Sequence, residues 1–321
     1  MEKSVRVQVP SRLPLYLNFL KKESLAKKAS MKNETKVNSV SFFDIICNMN
    51  ILYCGDQGIA DGLLVSLLSL LKNNTGMMNI YIATIRYEGV KPFTEKSAKF
   101  LDSLVKKYNK KSFVKLIDAT DVFVKNLPKK NMGTYFTPCS MLRLYADKIP
   151  ELEKCDRLLY LDYDVVCRGD ISEFYNTDLD GIEAAGVLDI YGKNFYHYHG
   201  LFKFDYMNSG VMLFNMKECR KTKMFEKTVA LCAKRWMMLA DQAALNKSIS
   251  KRKLMPRKYN EQGERPREDT VLHHFSNNFK FWPYFRVQKV KSFEVEKIHK
   301  VLKITEYDDI LEEYLKLKGN L

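Results

Sequence analysis

The chain has 321 residues, of which 46% are hydrophobic and 12% aromatic, and this composition excludes an intrinsically disordered protein. Its 53 Lys and Arg outnumber its 38 Asp and Glu, and the net charge of +15 favours anionic partners. No apolar stretch reaches the roughly 18 residues of a membrane-spanning helix. The seven cysteines form no C-x-x-C pair. They therefore argue against a disulfide framework or a cysteine zinc site, and they predict a cytoplasmic protein.

Three segments of the chain differ in amino-acid composition and periodicity. Residues 1–48 mix basic, acidic and polar residues without a sustained period, and we expect a poorly ordered leader or tail. The folded body is expected to begin near Met49, directly before the first strong strand, and to reach residue 282. Residues 283–321 are predicted to form a basic, helical C-terminal extension.

Short apolar strands alternate with helical periods from Asn50 onwards. Strands are predicted at 50–54, 79–85, 112–117, 157–161, 182–188 and 210–215, and helices at 60–71, 94–108 and, as one long helix, near 216–237. Such alternation indicates right-handed crossover connections and a parallel sheet. The sequence therefore predicts an α/β protein with a Rossmann-like, mostly parallel sheet flanked by helices.

Two acidic residues, Asp162 and Asp164, follow the apolar strand that ends at Leu161. Side chains two apart on an extended segment point to the same side, and ligands of open α/β sheets bind beyond the carboxyl ends of the strands. Paired carboxylates with open positions suit a hard divalent ion, such as magnesium or manganese, that also holds phosphates. The alternative is a solvated loop pair, since the D-x-D pattern is common by chance.

A histidine pair, His273-His274, lies in a second apolar run and close to Lys280. A structural histidine is the more frequent explanation of such a residue. If one of the pair joins the two carboxylates as a metal ligand, manganese is favoured over magnesium, because imidazole suits the later metals. Lys280 can meet a phosphate as a point charge.

Three further segments carry polar residues at element boundaries. Asn208 precedes a buried strand, and Asp241-Gln242 opens a helix, where Asp241 can also be a helix N-terminal charge. The loop after the first strand, Cys54–Gly58, leads into a helix, so its amides can meet an anion or a base. It lacks the G-x-G-x-x-G and Walker patterns, which leaves dinucleotide and P-loop chemistry unsupported.

Five motifs, in this order and spacing, resemble glycosyltransferase family 8, which includes bacterial lipopolysaccharide galactosyl- and glucosyltransferases and glycogenin. They span residues 49–282 and read N-I-L-Y-C-G-D, R-L-L-Y-L-D-Y-D, Y-M-N-S-G-V-M-L-F-N, A-D-Q-A-A-L-N and H-F-S-N-N-F-K-F-W. The resemblance implies a GT-A fold and a UDP-sugar donor, UDP-glucose or UDP-galactose. It also implies manganese, with magnesium as the alternative, and retaining transfer to a glycan or glycolipid acceptor in cell-surface glycan synthesis.

The resemblance also implies roles for individual residues. Asp162 and Asp164 match the metal-binding acids, the first also reaching the donor ribose, and His274 matches the third metal ligand. Contacts to the nucleotide, the diphosphate and the sugar hydroxyls are implied for Cys54, Asp56, Arg143, Lys280, Asn208, Asp189 and Asp241. Gln242 matches the amide under the anomeric carbon, so Gln242, Asp189 and Asp241 form the implied catalytic group.

The chain departs from the family pattern at three positions. A polar nucleotide contact is replaced by Gly58, a loop glycine by Asn277 and a proline by Phe281. The last two changes imply a different backbone path for the loop that carries Lys280.

The implied mechanism concerns the charge on the departing diphosphate. A divalent ion, Lys280 and Arg143 would stabilise that charge, and the amide of Gln242 is a poor nucleophile, which favours an ion-pair route over double displacement. Loops 191–205 and 257–268 are candidate acceptor contacts by position.

The positive net charge also allows two other interpretations of the function. A non-catalytic protein of the same fold that binds an anionic surface or nucleic acid is one alternative, although no nucleic-acid-binding motif accompanies the basic residues and no nucleic-acid partner is expected. Residues 217–267 contain 15 basic and 5 acidic side chains, which favours peripheral contact with anionic lipid at the inner face of a membrane.

Overall fold

The structure is a computed structural model that describes residues 48–132, 138–192, 205–237, 239–280 and 286–321. These residues belong to one compact unit, Cys47–Leu321. The leader predicted at 1–48 lies, except for Asn48, outside the described residues, as do Phe281 and most of the predicted acceptor loop 191–205.

Strands and helices alternate through the first part of the chain. The strands are β1 (Asn48–Cys54), β2 (Met77–Thr84), β3 (Phe113–Asp118), β4 (Arg157–Leu161), β5 (Val165–Cys167), β6 (Ala184–Leu188), β7 (Met207–Asn215), β8 (Arg252–Leu254), β9 (Leu272–His274), β10 (Asn278–Lys280) and β11 (Arg286–Gln288). The α-helices are α1 (Ala60–Asn73), α2 (Glu95–Tyr108), α3 (Thr120–Lys125), α4 (Ser172–Tyr175), α5 (Met216–Thr222), α6 (Met224–Lys234), α7 (Ala240–Ser248), α8 (Val295–Lys297) and α9 (Asp308–Leu317). Short 3₁₀ helices cover Gln57–Ile59, Lys129–Asn131, Pro138–Tyr145, Pro150–Leu152, Arg257–Tyr259 and Lys318–Asn320, and a π-helix covers Ile298–Leu302. No helix in these ranges combines the length and the hydropathy that crossing a membrane requires.

A 7-stranded sheet in the order β3-β2-β1-β4-β7-β6-β8 forms the centre of the molecule. Strands β3, β2, β1 and β4 pair in parallel, and so do β6 and β8. Strand β7 runs antiparallel to both of its neighbours, β4 and β6. The predicted α/β class with a mixed, mostly parallel sheet is confirmed.

The strand order reverses beside β1. The chain passes from β1 to β2 and β3 on one side and returns to β4 on the other side. In open α/β sheets a crevice forms beyond the carboxyl ends of the strands at such a switch point. Asp56 follows β1 and Asp162 follows β4, so both acids lie at the edge where a ligand is expected.

Apolar side chains cover both faces of the sheet. Alternate residues of β1 enter different clusters: Ile51 and Tyr53 belong to the cluster that contains the apolar residues of α1 and α2, whereas Leu52 belongs to the cluster that contains those of α6. Helix α1 is buried almost throughout, because α9 contacts it in addition to the core. Tyr314 of α9 donates a hydrogen bond to Asp61 of α1 at 2.7 Å.

The prediction of a single helix near 216–237 is wrong. The segment forms two helices, α5 and α6, that meet at Lys223, which has a left-handed backbone with φ of 57°. The N–H of Lys223 donates to the carbonyls of Cys219 and Arg220 and so closes α5. The hydrophobic period alone did not reveal this break, because both helices bury their apolar residues in the same cluster.

Candidate functional site

Three side chains converge at the carboxyl end of β4. The N–H of Asp162 donates to the Gly210 carbonyl at 2.8 Å, which fixes the first acid against β7. Strand β5 then pairs with β9 and sets Val165 opposite His274, so the imidazole reaches both acids. The Nε2 atom of His274 lies 3.5 Å from Asp162 Oδ2 and 3.3 Å from Asp164 Oδ1.

The donor set suits a divalent cation. One ligand atom from each of Asp162, Asp164 and His274 lies within 4.8 Å of the others. Asp164 and His274 are buried, whereas Asp162 is half-buried, so the cluster stays open on one side. Two carboxylate oxygens and an imidazole nitrogen form a ligand set for manganese or magnesium, with the imidazole favouring manganese.

The charges in this cluster balance one another. Burial alone would raise the pKa of Asp164, but Lys291 and His274 lower it below its usual range. Burial likewise opposes a charge on His274, yet the neighbouring Asp164 and Asp162 raise the pKa of the imidazole. Lys291 Nζ lies 2.6 Å from Asp164 Oδ2, and it belongs to the segment after β11. The sequence carries no spacing signal for this lysine, and sequence reasoning missed it.

Gly210 leaves the space that the imidazole occupies. A Cβ atom at this position would lie 2.2 Å from His274 Cε1, 2.7 Å from Nδ1 and 2.8 Å from Asp162 Oδ2. These distances are far below van der Waals contact, so only glycine fits between the strand and the ring.

We therefore expect Gly210→Ala to weaken divalent-ion binding, because the new methyl group pushes His274 away from the acids. Overpacking of this kind typically costs about 1–3 kcal/mol of unfolding free energy. Chemical denaturation and calorimetric titration with Mn²⁺ measure the two effects. The matched control is Gly186→Ala in β6, where the nearest atom to the added Cβ is Met207 Sδ at 3.2 Å, at the end of a flexible side chain. Equal Mn²⁺ affinity in Gly210→Ala and wild type would contradict this account.

Arg143 joins two of the acids. Its Nη2 atom lies 3.2 Å from Asp162 Oδ1 and 3.2 Å from Asp241 Oδ2, and its side chain is only 5% exposed. The guanidinium stacks on the ring of Tyr160, 4.1 Å from the ring centroid, and Nη1 donates to the Ser209 carbonyl at 2.9 Å. Burial would lower the pKa of Arg143, but Tyr160 and the two acids raise it, so the charge is retained.

A second buried network lies beside Arg143. Asp189 Oδ2 accepts hydrogen bonds from Asn208 Nδ2 at 3.0 Å and from Gln242 Nε2 at 3.2 Å. Its Oδ1 accepts from the N–H groups of Tyr191 and Gly192 at 2.9 and 2.8 Å. The structure thus brings Asp189, Asn208 and Gln242 together, although they are far apart in the sequence.

Two polar residues that sequence reasoning did not single out complete this network. Asn260 is fully buried, and its Oδ1 lies 3.3 Å from His274 Nδ1 while its Nδ2 donates to Asn208 Oδ1 at 3.0 Å. Gln262 accepts from the Ile190 N–H at 3.2 Å and donates to the Leu188 carbonyl at 3.1 Å. Both lie in the loop 257–268, in the polar run N-E-Q that follows the 3₁₀ helix Arg257–Tyr259, and that run was the available signal.

Two of the residues expected to contact the nucleotide or its diphosphate, Cys54 and Asp56, lie at the end of β1, and the third, Lys280, lies at the end of β10. The carboxylate of Asp56, which is partly exposed, accepts from the Gly58 N–H at 2.9 Å and caps the 3₁₀ helix Gln57–Ile59. Cys54 is buried, and burial raises the pKa of its thiol, so the thiol stays neutral. Lys280 closes β10, whose backbone pairs with β11, and its side chain lies outside what the structure describes.

The two adjacent histidines have different surroundings. His273 Nε2 lies 2.9 Å from the Gly263 carbonyl, which can only accept, and His273 Nδ1 lies 2.7 Å from the Tyr307 hydroxyl. Burial lowers the pKa of His273 to about 4, so this imidazole is neutral and serves the core. Only His274 faces the acids.

Comparison with known proteins identifies relatives by sequence. Residues 50–285 match the family model described as Glycosyl transferase family 8. A lipopolysaccharide 1,2-glucosyltransferase of Escherichia coli K12 is 30% identical over 221 residues, which are 66% of this chain and 62% of that protein. A putative glycosyltransferase of Haemophilus influenzae is 24% identical over 185 residues, which are 56% of this chain and 52% of that protein. The chain thus spans less than two thirds of the length of these relatives.

Solved structures share the fold at low sequence identity. The galactosyltransferase LgtC, solved with donor and acceptor sugar analogs, matches with a TM-score of 0.63 at 16% identity over 85% of this chain and 100% of LgtC. The bifunctional glycosyltransferase WbbM matches with a TM-score of 0.62 at 13% identity over 88% of this chain and 53% of WbbM. These likenesses show a GT-A-like fold. Because the family model covers most of the sequence, from residue 50 to residue 285, the chain belongs to glycosyl transferase family 8.

Proposed function

We propose that this protein is a retaining hexosyltransferase that moves glucose or galactose from a UDP-sugar to a glycan or lipid-linked acceptor. The observation that carries the proposal is the convergence of Asp162, Asp164 and His274 beside the switch point of the sheet, in a chain of family 8. The relatives include a lipopolysaccharide 1,2-glucosyltransferase and a galactosyltransferase, which favours these two hexoses.

Asp162, Asp164 and His274 would hold the divalent ion of this reaction, with manganese favoured and magnesium as the alternative. When bound, the ion supplies positive charge that stabilises the diphosphate leaving group. Arg143, which pairs with Asp162 and Asp241, is proposed to lie near the diphosphate and the donor sugar. Lys280 is proposed to contact the diphosphate.

The donor is proposed to bind across the ends of β1, β4 and β7. Asp56 and the backbone of Cys54 would contact the nucleotide, since they lie at the end of β1 next to the switch point. Asn208, Asp189 and Asp241 would bind the sugar hydroxyls. Their side chains are already ordered by hydrogen bonds or ion pairs within the site, which lowers the entropy cost of binding.

Gln242 is a poor candidate for a covalent nucleophile. Its Oε1 accepts from the Ser209 N–H at 2.9 Å and lies 3.3 Å from Ser209 Oγ, while its Nε2 donates to Asp189. An amide oxygen that already accepts from β7 has little freedom to attack a sugar carbon. We therefore favour an ion-pair route in which the acceptor attacks from the face that the phosphate leaves. Trapping of a hexose on Gln242 or Asp189 would contradict this route.

The proposal is tested by hydrolysis of UDP-sugars without acceptor. Purified protein is incubated with UDP-glucose, UDP-galactose and other UDP-sugars in Mn²⁺, Mg²⁺ or EDTA, and free UDP is measured. We expect release from one or both hexose donors with Mn²⁺ and none in EDTA. No release, together with no calorimetric uptake of Mn²⁺ and UDP, would overturn the proposal. That outcome would favour a non-catalytic protein that binds anionic surfaces.

Peripheral contact with an anionic membrane is proposed from one surface, the basic patch. It consists of the exposed side chains Lys125, Lys129, Lys130, Lys227, Lys234, Arg235 and Trp236. Asn131 connects the segment that carries Lys125, Lys129 and Lys130 to the end of α6. Its Nδ2 donates to the carbonyls of Cys232 and Arg235 at 2.6 and 2.7 Å. Trp236 is 68% exposed beside two cations, and tryptophan in this setting favours the interface of a bilayer. The patch leads into α7, which carries Asp241 and Gln242.

We expect the protein to bind vesicles of phosphatidylcholine with phosphatidylglycerol, and to release them as salt rises. Each basic residue near such a surface contributes about 1 kcal/mol, so Lys234→Ala with Arg235→Ala should weaken binding by roughly 30-fold at low salt. Co-sedimentation measures the effect. The double variant Lys110→Ala with Lys111→Ala, at the turn before β3, is the matched control. Binding that survives the patch variant would argue against this surface.

A cytoplasmic location at the inner face of the membrane is proposed as well. The six cysteines in the described residues are free and buried, which suits a reducing compartment.

A further inference from the structure

We propose that Asn260 is a positioning residue that holds His274 in the tautomer with its proton on Nδ1, so that the Nε2 lone pair faces Asp162 and Asp164. Asn260 does this as the end of a one-directional chain of hydrogen bonds that begins at Asp189. The inference rests on the proposed function, since it gives His274 its role as a metal ligand.

The direction of the chain is set by a backbone group. The Gly210 N–H can only donate, and it lies 3.0 Å from Asn208 Oδ1, so that atom is the amide oxygen. The other end of the same amide, Nδ2, lies 3.0 Å from Asp189 Oδ2, an acceptor that requires a donor. Both contacts agree, so the orientation of the Asn208 amide has one solution.

The orientation of Asn260 follows from that of Asn208. Asn208 Oδ1 also lies 3.0 Å from one end of the Asn260 amide, which must therefore be the donor Nδ2. The opposite end is then the oxygen, and it lies 3.3 Å from His274 Nδ1. Asn260 is 0% exposed, so water does not compete for these groups.

An amide oxygen cannot donate, so His274 Nδ1 must carry a proton to form this bond. In the neutral imidazole the second nitrogen, Nε2, then carries a lone pair, and it lies 3.5 Å from Asp162 and 3.3 Å from Asp164. Metal-binding histidines usually donate their other N–H to a partner that fixes the ring in this way. Asn260 provides that partner from a loop outside the five sequence motifs.

The chain also couples the two halves of the site. Asp189, proposed to bind the donor sugar, orients Asn208, which orients Asn260, which orients His274. The same hydrogen bonds therefore position both a residue proposed to bind a sugar hydroxyl, Asp189, and a residue proposed to bind the metal, His274.

The test uses two substitutions and Mn²⁺ alone as the probe in calorimetry. Asn260→Leu removes the acceptor, and we expect Mn²⁺ to bind about 10–100-fold more weakly. Asn260→Asp retains an acceptor for Nδ1–H but loses the donor to Asn208 Oδ1, and we expect it to restore part of the affinity. Asn74→Leu is the control, because Asn74 is also a buried, hydrogen-bonded asparagine. It lies at the C-terminal end of α1, whereas Asp56 lies near the N-terminal end. Wild-type affinity in Asn260→Leu, or no rescue by Asn260→Asp, would overturn the proposal.

A second measurement needs no substitution at Asn260. Long-range ¹H–¹⁵N NMR of the protein loaded with diamagnetic Mg²⁺ reports which nitrogen of His274 carries the proton. The signal is assigned by its loss in His274→Gln. We expect a proton on Nδ1 and none on Nε2, and a proton on Nε2 alone would overturn the proposal. Because no sugar donor is present, this result is independent of whether the protein transfers hexose.

Discussion

Replacing Asp164 by asparagine is expected to reduce kcat/KM for the UDP-hexose donor by about 10³-fold, the upper end of the range for loss of one group that stabilises developing charge. The substitution keeps the side-chain volume and removes one of the two carboxylates that face His274. Asp164 is buried, with its side chain 5% exposed, so water cannot replace the missing charge. Steady-state assays with Mn²⁺ measure the loss, and calorimetry should show weaker Mn²⁺ binding.

The control for this prediction is Asp170→Asn, an exposed aspartate that accepts a hydrogen bond from the Ser172 N–H at 2.8 Å. It makes the same chemical change away from the site, and we expect nearly unchanged kinetics. Circular dichroism should show both variants folded. Near wild-type activity in Asp164→Asn would contradict its assignment as a metal ligand.

Arg143→Met is expected to lower the free energy of unfolding by about 3–5 kcal/mol, because removing one partner of a buried ion pair leaves its counter-charge uncompensated. Here one guanidinium serves both Asp162 and Asp241, each at 3.2 Å. The methionine side chain fills similar space and contacts Tyr160 without a charge. Equilibrium urea denaturation measures the change.

Arg157→Met is the matched control. Arg157 donates to the carbonyls of Tyr175 and Thr177, which carry no formal charge, so its replacement leaves no ionised group unpaired. We expect a loss of about 1–3 kcal/mol, in the range for an unsatisfied buried acceptor. Equal losses in the two variants would show that the charges around Arg143 contribute little.

The parts of the fold that depend on neighbouring residues could be predicted from the sequence. Strand β4 was predicted at its observed bounds, because five apolar or amphipathic residues precede the two acids directly. Helix α2 begins after Thr94, whose side chain accepts from the Ser97 N–H, and this cap is visible in the sequence. The position of Asp162 at a strand end therefore required only local information.

The parts of the site that depend on distant pairings could not be predicted from local patterns. His274 reaches Asp164 only through the register of β5 on β9, which no periodicity reveals. Asn260 looked like an ordinary loop residue, and Lys291 lies in a segment expected to be a helical extension. Their roles depend on which side chains the fold places opposite them. The family resemblance supplied His274, but it gave no indication of Asn260 or Lys291.

The contact between Lys291 and Asp164 has a consequence for the protein without metal. An ammonium attached 127 positions along the chain neutralises a buried acid, so removing divalent ions with a chelator should not make the cluster repel itself. A divalent ion that binds there would share Asp164 with this tethered cation, since Lys291 contacts Oδ2 and His274 faces Oδ1. The charge that the ion meets is therefore set in part by the C-terminal segment.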